Sequence, residues 1–266
     1  MSGRRVWALL KKEFLDLRRN RGALLPVLLV AAITVMIPFV ITVAVPGATG
    51  EGLSSDTDLA RVSTVVGEYA DLGPEGRVQL FLFQQFLLLF LLMPITGAMA
   101  LAAHAIVGEK QARTLEPLLA TPVGTLELLV AKVFGSLLPT LAISLMALIL
   151  YTALLGVVAE PGVLRAMVSV RSALLVALIG PASALVSLQA AIIVSSRVND
   201  VRTAQQFGVL IVVPLTVLLV AQFTGTLWLS TTVLAFIGAG LVAVWVLLTL
   251  ASALLFDRER ILTKWK

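Results

Sequence analysis

The sequence predicts an all-α polytopic membrane protein with six transmembrane helices, an amphipathic helix in the interface before the first span, and a charged cytosolic segment between spans two and three. Three observations predict it. Of 266 residues, 59% are hydrophobic and only 13% charged, with a mean hydropathy of +1.03. A soluble domain of this size has no room to hide so much apolar surface. The apolar residues gather into six runs, each near the roughly 20 residues that a helix needs to cross the hydrocarbon layer. The basic residues fall almost entirely in alternate connecting segments, which is how a membrane chain records its orientation.

Residues 1–23 form a cytosolic leader. On a helical wheel Val6, Trp7, Leu10, Phe14 and Leu17 gather on one side and Arg4, Arg5, Lys12 and Arg19 on another. This pattern predicts a helix lying in the headgroup layer. The apolar run from Ala23 to Val45 exceeds the core of a cleaved secretory signal, so a retained first span is expected.

The membrane domain covers 24–256. Its spans are expected at Leu24 to Val45, Leu80 to Val107, Val133 to Val157, Ala173 to Ser195, Phe207 to Gln222 and Thr232 to Phe256, the fifth being marginal in length. Residues 1–23, 108–132, 196–206 and the basic tail 257–266 hold 7, 3, 2 and 4 lysines and arginines, 16 of the 20 in the chain. Both termini are therefore expected in the cytosol, and the chain in a plasma (inner) membrane. The segment 46–79 is expected outside, with six acids against two bases. Ser55 and Asp58 read as a capping box for a short helix on the outer leaflet, carrying Leu59, Val62, Val66 and Tyr69 on one face.

Prolines mark nearly every span: Pro26, Pro38, Pro94, Pro139, Pro181 and Pro214. In lipid they predict bent helices whose freed carbonyls are satisfied by neighbours. Gly97, Ala98, Ala100, Ala102 and Ala103 in span two predict close helix contact. Phe83, Phe86 and Phe90 share one face of that span, as bundle packing or as a candidate pathway for an amphiphile. Gln189 and Gln222 are candidates for hydrogen bonds between helices, Gln189 also as part of such a pathway.

Several chemistries are excluded or disfavoured. With no cysteine and one histidine, disulfides, thiolate catalysis and metal clusters have no residues to build them. His104 with Ser183 or Ser187 is the nearest approach to a catalytic pair, and a lone histidine near an interface reads better as a hydrogen-bonded structural residue. No GxxxxGK[ST] phosphate cradle occurs, so any ATP used must be bound by another chain. The spans lack the acids that a proton-driven carrier places along its route. Basic residues beside cytosolic span ends account for the pI of about 10.0 without nucleic acid.

The segment 108–132, GEKQARTLEPLLATPVGTLELLVAK, stands apart. Pro117 and Pro122 break it into pieces, and the piece between the bends presents Leu115, Leu118 and Leu119 within a collar of Glu109, Lys110, Arg113 and Glu116. Residues alone leave open whether those leucines dip back into the bilayer or meet a protein.

The run closely resembles the cytosolic loop after the second span in membrane subunits of ABC exporters of the type-2 permease family. The matching residues are Glu109, Lys110, Arg113, Thr114, Leu115, Glu116, Leu118, Leu119, Thr121, Pro122, Glu127 and Lys132. The loop SSRVNDVRTAQQ, with Arg197, Asn199, Asp200 and Arg202, is similar to the family's second cytosolic loop, and Asn199 or Asp200 can also cap span five. The resemblance implies a coupling helix in 108–132 that docks on a separate ATPase. It also implies a leader that helps seat that ATPase, a permease dimer (homo- or heterodimer) carrying two ABC ATPase subunits, and ATP and Mg bound by those subunits. The chain itself is then not an enzyme and binds no cofactor. Membrane lipids complete the expected partners. Two other classes remain open to the residues: a secondary carrier or channel without an ATPase, and a membrane scaffold of an ATPase-driven assembly machine.

Overall fold

A computed structural model describes residues 3–63, 71–111, 124–197, 200, 203, 206, 209–224 and 229–255. Every regular element among them is helical. Among the described residues five helical stretches are long and apolar enough to cross a membrane: Gly22–Thr49, Pro74–Glu109, Val130–Val158, Val170–Ser195 and Thr231–Ser252. They match the expected spans one, two, three, four and six. The fifth run forms α11 (Val209–Phe223), 15 residues long.

The second span is the hub. Of its most apolar window 83% is buried inside the bundle, against 11% for the last span, so the other helices pack around it. It consists of α5 (Pro74–Leu89) and α6 (Leu92–Gln111). The break between them answers Pro94: Phe90 and Leu91 donate to Leu87 and Leu88, tightening the last turn of α5. Pro94 then falls in the first turn of α6, where its missing donor costs nothing.

The small residues act as expected. Ala98 and Ala103 are fully buried. A Cβ on Gly97 would stand 2.9 Å from Thr140 Cγ2 and 3.1 Å from Val27 Cγ1. The hydrogen at this position therefore lets spans one, two and three meet closely.

Span one is α2 (Arg21–Phe39), a wider π-helical turn at Val40–Ala44, and α3 (Val45–Thr49). Pro38 precedes the wide turn, and Thr42 Oγ1 donates to the Pro38 carbonyl at 2.9 Å. That bond gives the Pro38 carbonyl a side-chain donor where the helix widens, while the carbonyl that the proline itself deprives of a donor is that of Thr34, four residues earlier. The segment between spans one and two carries α4 (Thr57–Ser63). Its cap is Asp56 and not Ser55: Asp56 Oδ1 accepts from the amides of Asp58 at 2.9 Å and Leu59 at 3.1 Å, while the Ser55 hydroxyl turns back to Gly52 O at 2.6 Å. Leu59 packs on the bundle core beside the buried Leu53. Glu75 fixes this end by accepting from Leu53 N and Ser54 N at 3.0 and 2.9 Å. Val66 and Tyr69 lie outside the described residues.

Span three is one helix, α7 (Thr125–Val158), continuous through Pro139. A short α8 (Val163–Met167) and α9 (Val170–Ala173) lead into span four. That span passes through a second wide π-helical stretch, Leu174–Ile179, before α10 (Gly180–Arg197), which packs on α6. The last span is α12 (Thr231–Leu255).

Tyr151 on α7 organises the half of the bundle away from the N-terminus. It is fully buried and donates its hydroxyl to Phe83 O at 3.0 Å. Phe39, Phe83 and Phe90 surround its ring at centroid distances of 5.3, 6.1 and 5.0 Å, tilted or edge-on as aromatic pairs prefer.

Candidate functional site

The leader forms α1 (Gly3–Arg19), a continuous helix lying against α7. Its apolar residues divide between two tasks. Val6, Leu10 and Leu17 turn partly inward, whereas Trp7 and Phe14 are exposed at 69% and 38%. Glu13 follows the inward stripe, three residues after Leu10 and four before Leu17. Its stem lies directly on Gly135 of α7, where an added Cβ would stand 2.8 Å from Glu13 Cβ. Glycine there brings a carboxylate into a packed interface.

What meets that carboxylate is the core of the site. Lys132, in the second turn and a half of α7, is only 4% exposed. Its ammonium reaches Glu109 Oε2 at 2.7 Å, Glu13 Oε1 at 3.2 Å and the Ala105 carbonyl at 2.7 Å. An ammonium has three protons to give, and here are three acceptors. Glu109, at the end of α6, also accepts from Lys12, which lies 3.5 Å from Asp16 on its own helix. Two lysines and two glutamates, with Asp16 beside Lys12, therefore form one ion-pair network on three helices, and its links from α1 cross 97 and 119 residues of sequence.

Burial governs the titration of this network. It is the largest influence on Glu13 and lifts its carboxyl above the usual range, with Glu109 pushing the same way and Lys132 and Lys12 pulling back. Burial also pulls Lys12 down, but its hydrogen bond to Glu109 and the nearby carboxylates more than reverse this and leave it raised. Burial thus favours the protonated form of the Glu13 carboxyl.

Of the residues named from sequence for segment 108–132, Glu109 is a member of this network. Arg113, Thr114, Leu115, Glu116, Leu118, Leu119, Thr121 and Pro122 lie outside the described residues, as does the side chain of Lys110. Beyond them Gly124 N donates to Glu127 Oε2 at 3.1 Å, so Glu127 closes the first turn of α7. In the second loop Asp200 Oδ2 accepts from Thr203 N at 3.0 Å and Thr203 Oγ1 at 3.1 Å, the geometry of a helix cap. Asn199, Arg202 and the Arg197 side chain lie outside the described residues.

The candidate pathway residues are inside the bundle. Phe83, Phe86 and Phe90 are 0%, 5% and 7% exposed and belong to the main core. Gln189 donates to Ser252 and ties span four to span six. Gln222 is joined to Gln85 through its backbone carbonyl, at 3.4 Å, and both its buried amide atoms lack partners among the described residues. Ser183 and Ser187 each donate to a carbonyl of their own helix, Gly180 O at 2.8 Å and Ser183 O at 2.6 Å. His104 lines a small recess beside Glu13 and Gly135.

The two glutamines predict opposite outcomes. Gln189→Leu is expected to destabilise the purified protein by about 1 kcal/mol, the worth of one hydrogen bond between membrane helices. Gln222→Leu removes an amide that has no partner among the described residues and is expected to leave thermal unfolding unchanged or raise it. An equal loss of stability in both variants would contradict the assigned partners.

Reading the sequence put Lys12 on the basic face of the leader and did not single out Glu13, and it joined neither to Glu109 or Lys132. The available signal was a carboxylate in register with an apolar stripe, at position 13 between Leu10 and Leu17.

A family model described as ABC-2 family transporter protein matches residues 7–257. No curated protein matches the chain.

Proposed function

Since the chain belongs to the ABC-2 family of transporter proteins, and that family's permeases work with ABC ATPase subunits, we propose that it is the six-span permease of an ATP-driven exporter, with segment 108–132 as its coupling element. Both termini face the cytosol and α11 supplies the fifth crossing. Two protomers form the substrate pathway, and two ATPase subunits sit beneath them. The observation that carries the reading is the family match across nearly the whole chain, and the ionic network gives it a mechanical form.

Segment 108–132 is held at both ends. Glu109 stands near its start and Lys132 at its end, and both are bonded to each other and to α1. A force applied to the leucines of the segment therefore moves α1 and the bases of spans two and three together. ATP closes the ATPase dimer, and the docked segment moves with it. The closed dimer favours one tilt of the bundle over the other, and only such differential interaction shifts the equilibrium between inward and outward access.

Purification from native membrane with mass analysis tests the proposal. Stoichiometric recovery of a P-loop ATPase, with ATP-dependent movement of a solute across reconstituted vesicles, is the expected result. Transport driven by an ion gradient in vesicles holding this chain alone would overturn it.

A further inference from the structure

Beside the ion-pair network of α1, α6 and α7 lies the recess that His104 lines, a space of about 60 Å³ formed by the same three helices. One water needs roughly 10–15 Å³ of such space, so the recess has room for a small ion with a water or two. Its polar lining is Glu13, Asp16, Asn20, His104 and Ser136, with no lysine or arginine among them. Asp16, whose side chain is 62% exposed, gives the recess a way to solvent. Ser136, at 2% exposure, stands at its closed side.

Two carboxylates alone do not make a site, and Ser136 supplies the independent sign. Its carbonyl accepts from Thr140 at 2.8 Å, but its hydroxyl has no partner among the described residues. Buried hydroxyls are nearly always bonded, so one that lines a recess without a protein partner marks a bound species there. The neighbouring ammonium is not that species. Lys132 spends its three protons on Glu109, Glu13 and the Ala105 carbonyl and has none left to give. Charge points to the sign of the occupant. Glu13, Asp16 and Glu109 set against Lys12 and Lys132 are three carboxylates to two ammoniums, which leaves one negative charge over. Carboxylate, amide and hydroxyl oxygens are hard ligands that suit a hard cation. A single positive charge balances the excess, and the space is too small for the several waters that a magnesium ion keeps.

We propose that this recess is a binding site for one monovalent alkali cation, sodium or potassium, held by oxygens of Glu13, Asp16 and Ser136 with Asn20 and water completing the set. The ion joins α1 to α7 by the side of the network that no lysine lines. Its role is to fasten the leader to the bundle in ionic surroundings. The inference rests on this junction alone. It stands or falls separately from ATPase coupling, because it is read without ATPase or nucleotide.

The test follows thermal unfolding of the full chain in detergent at about pH 8, above the usual histidine range. Choline chloride is replaced stepwise by sodium or potassium chloride at constant total salt. Choline carries the same charge but shields it with methyl groups, so it cannot be held by carboxylate oxygens. A rise in unfolding temperature that saturates with sodium, potassium or both is expected, since a ligand of the folded state alone stabilises by mass action. The ion with the lower half-saturation concentration is the better occupant. Ser136→Ala removes a hydroxyl with no protein partner, so it is expected to unfold in choline as the unaltered protein does, while its half-saturation rises about fivefold, the worth of one neutral contact. Asp16→Asn, at an exposed position, is expected to raise it about tenfold through loss of a charged one. Equal unfolding temperatures in all three salts would mean a recess holding water only and would overturn the proposal. So would a rise that never saturates, or a half-saturation left unchanged by either variant.

Discussion

Glu109→Ala is expected to lower the stability of the purified protein by about 3 kcal/mol, at the lower end of the range for breaking a buried ion pair. The reason is what it leaves behind. Lys132 stays almost fully buried at the α1–α6–α7 junction, with Glu13 and the Ala105 carbonyl as its remaining acceptors. Glu13 is not a full substitute, because burial already raises its carboxyl and the loss of Glu109 removes one cause of that rise while leaving the larger one. Adding Lys132→Met to Glu109→Ala removes the stranded cation and is expected to recover most of the loss, since apolar replacement of a buried pair is often neutral. A double-mutant cycle on thermal unfolding reads the coupling, expected at about 1–3 kcal/mol for groups in one network. If Glu109→Ala unfolds at the temperature of the unaltered protein, the network does not hold α1 to the bundle.

The same double variant separates stability from transmission. Its bundle is intact, but segment 108–132 is no longer bonded to α1 through Glu109 and Lys132. Under the proposed mechanism it binds the ATPase and hydrolyses ATP with transport poorly linked to hydrolysis. Lys12→Ala is a milder case, since its side chain is 40% exposed and solvent takes over part of its role.

What the sequence disclosed depends on how far apart the cooperating residues are. Span positions were legible because each rests on a local run of apolar residues, and the five stretches recovered fall within a few residues of the expected bounds. Gly97 and its neighbouring alanines also announced their contacts, since small residues in a span have few other uses. The prolines located bends but not their form. Pro38 and Pro181 each adjoin a π-helical stretch, whereas Pro139 leaves α7 continuous.

Long-range partners were not legible. Glu109 was read as part of the collar of a docking segment, yet its carboxylate meets Lys12, 97 residues earlier. Lys132 reaches Glu13 across 119 residues. Composition cannot pair such groups, and only the approach of α1 to Gly135 does so. Arg171 is one of the four basic residues outside the segments expected in the cytosol, and charge counting is blind to its burial beside Gln84. Tyr151 carried no signal at all, because a single tyrosine in an apolar span looks like any other bulky residue until Phe39, Phe83 and Phe90 are seen around it.

Replacing Leu118 and Leu119 together with Asp is expected to weaken ATPase retention by on the order of a thousandfold. If both leucines are buried on docking, each contributes roughly 2 kcal/mol of apolar transfer, and about 4 kcal/mol corresponds to that factor. A buried aspartate adds a desolvation penalty on top. The bundle itself is expected to be indifferent. The segment's ends are fixed by Glu109 and Lys132, neither of which is altered, so thermal unfolding should stay within about 0.5 kcal/mol of the unaltered protein. This contrast with Glu109→Ala gives the experiment its force, since one change loosens the permease while the other leaves it whole and removes its motor. Co-purification reads the first quantity and calorimetry the second. Full ATPase recovery with unchanged transport-linked hydrolysis would show that the leucines of segment 108–132 do not receive the force. The bilayer-dipping reading of the same leucines predicts the reverse pattern, an impaired insertion of the chain with no specific loss of a soluble partner.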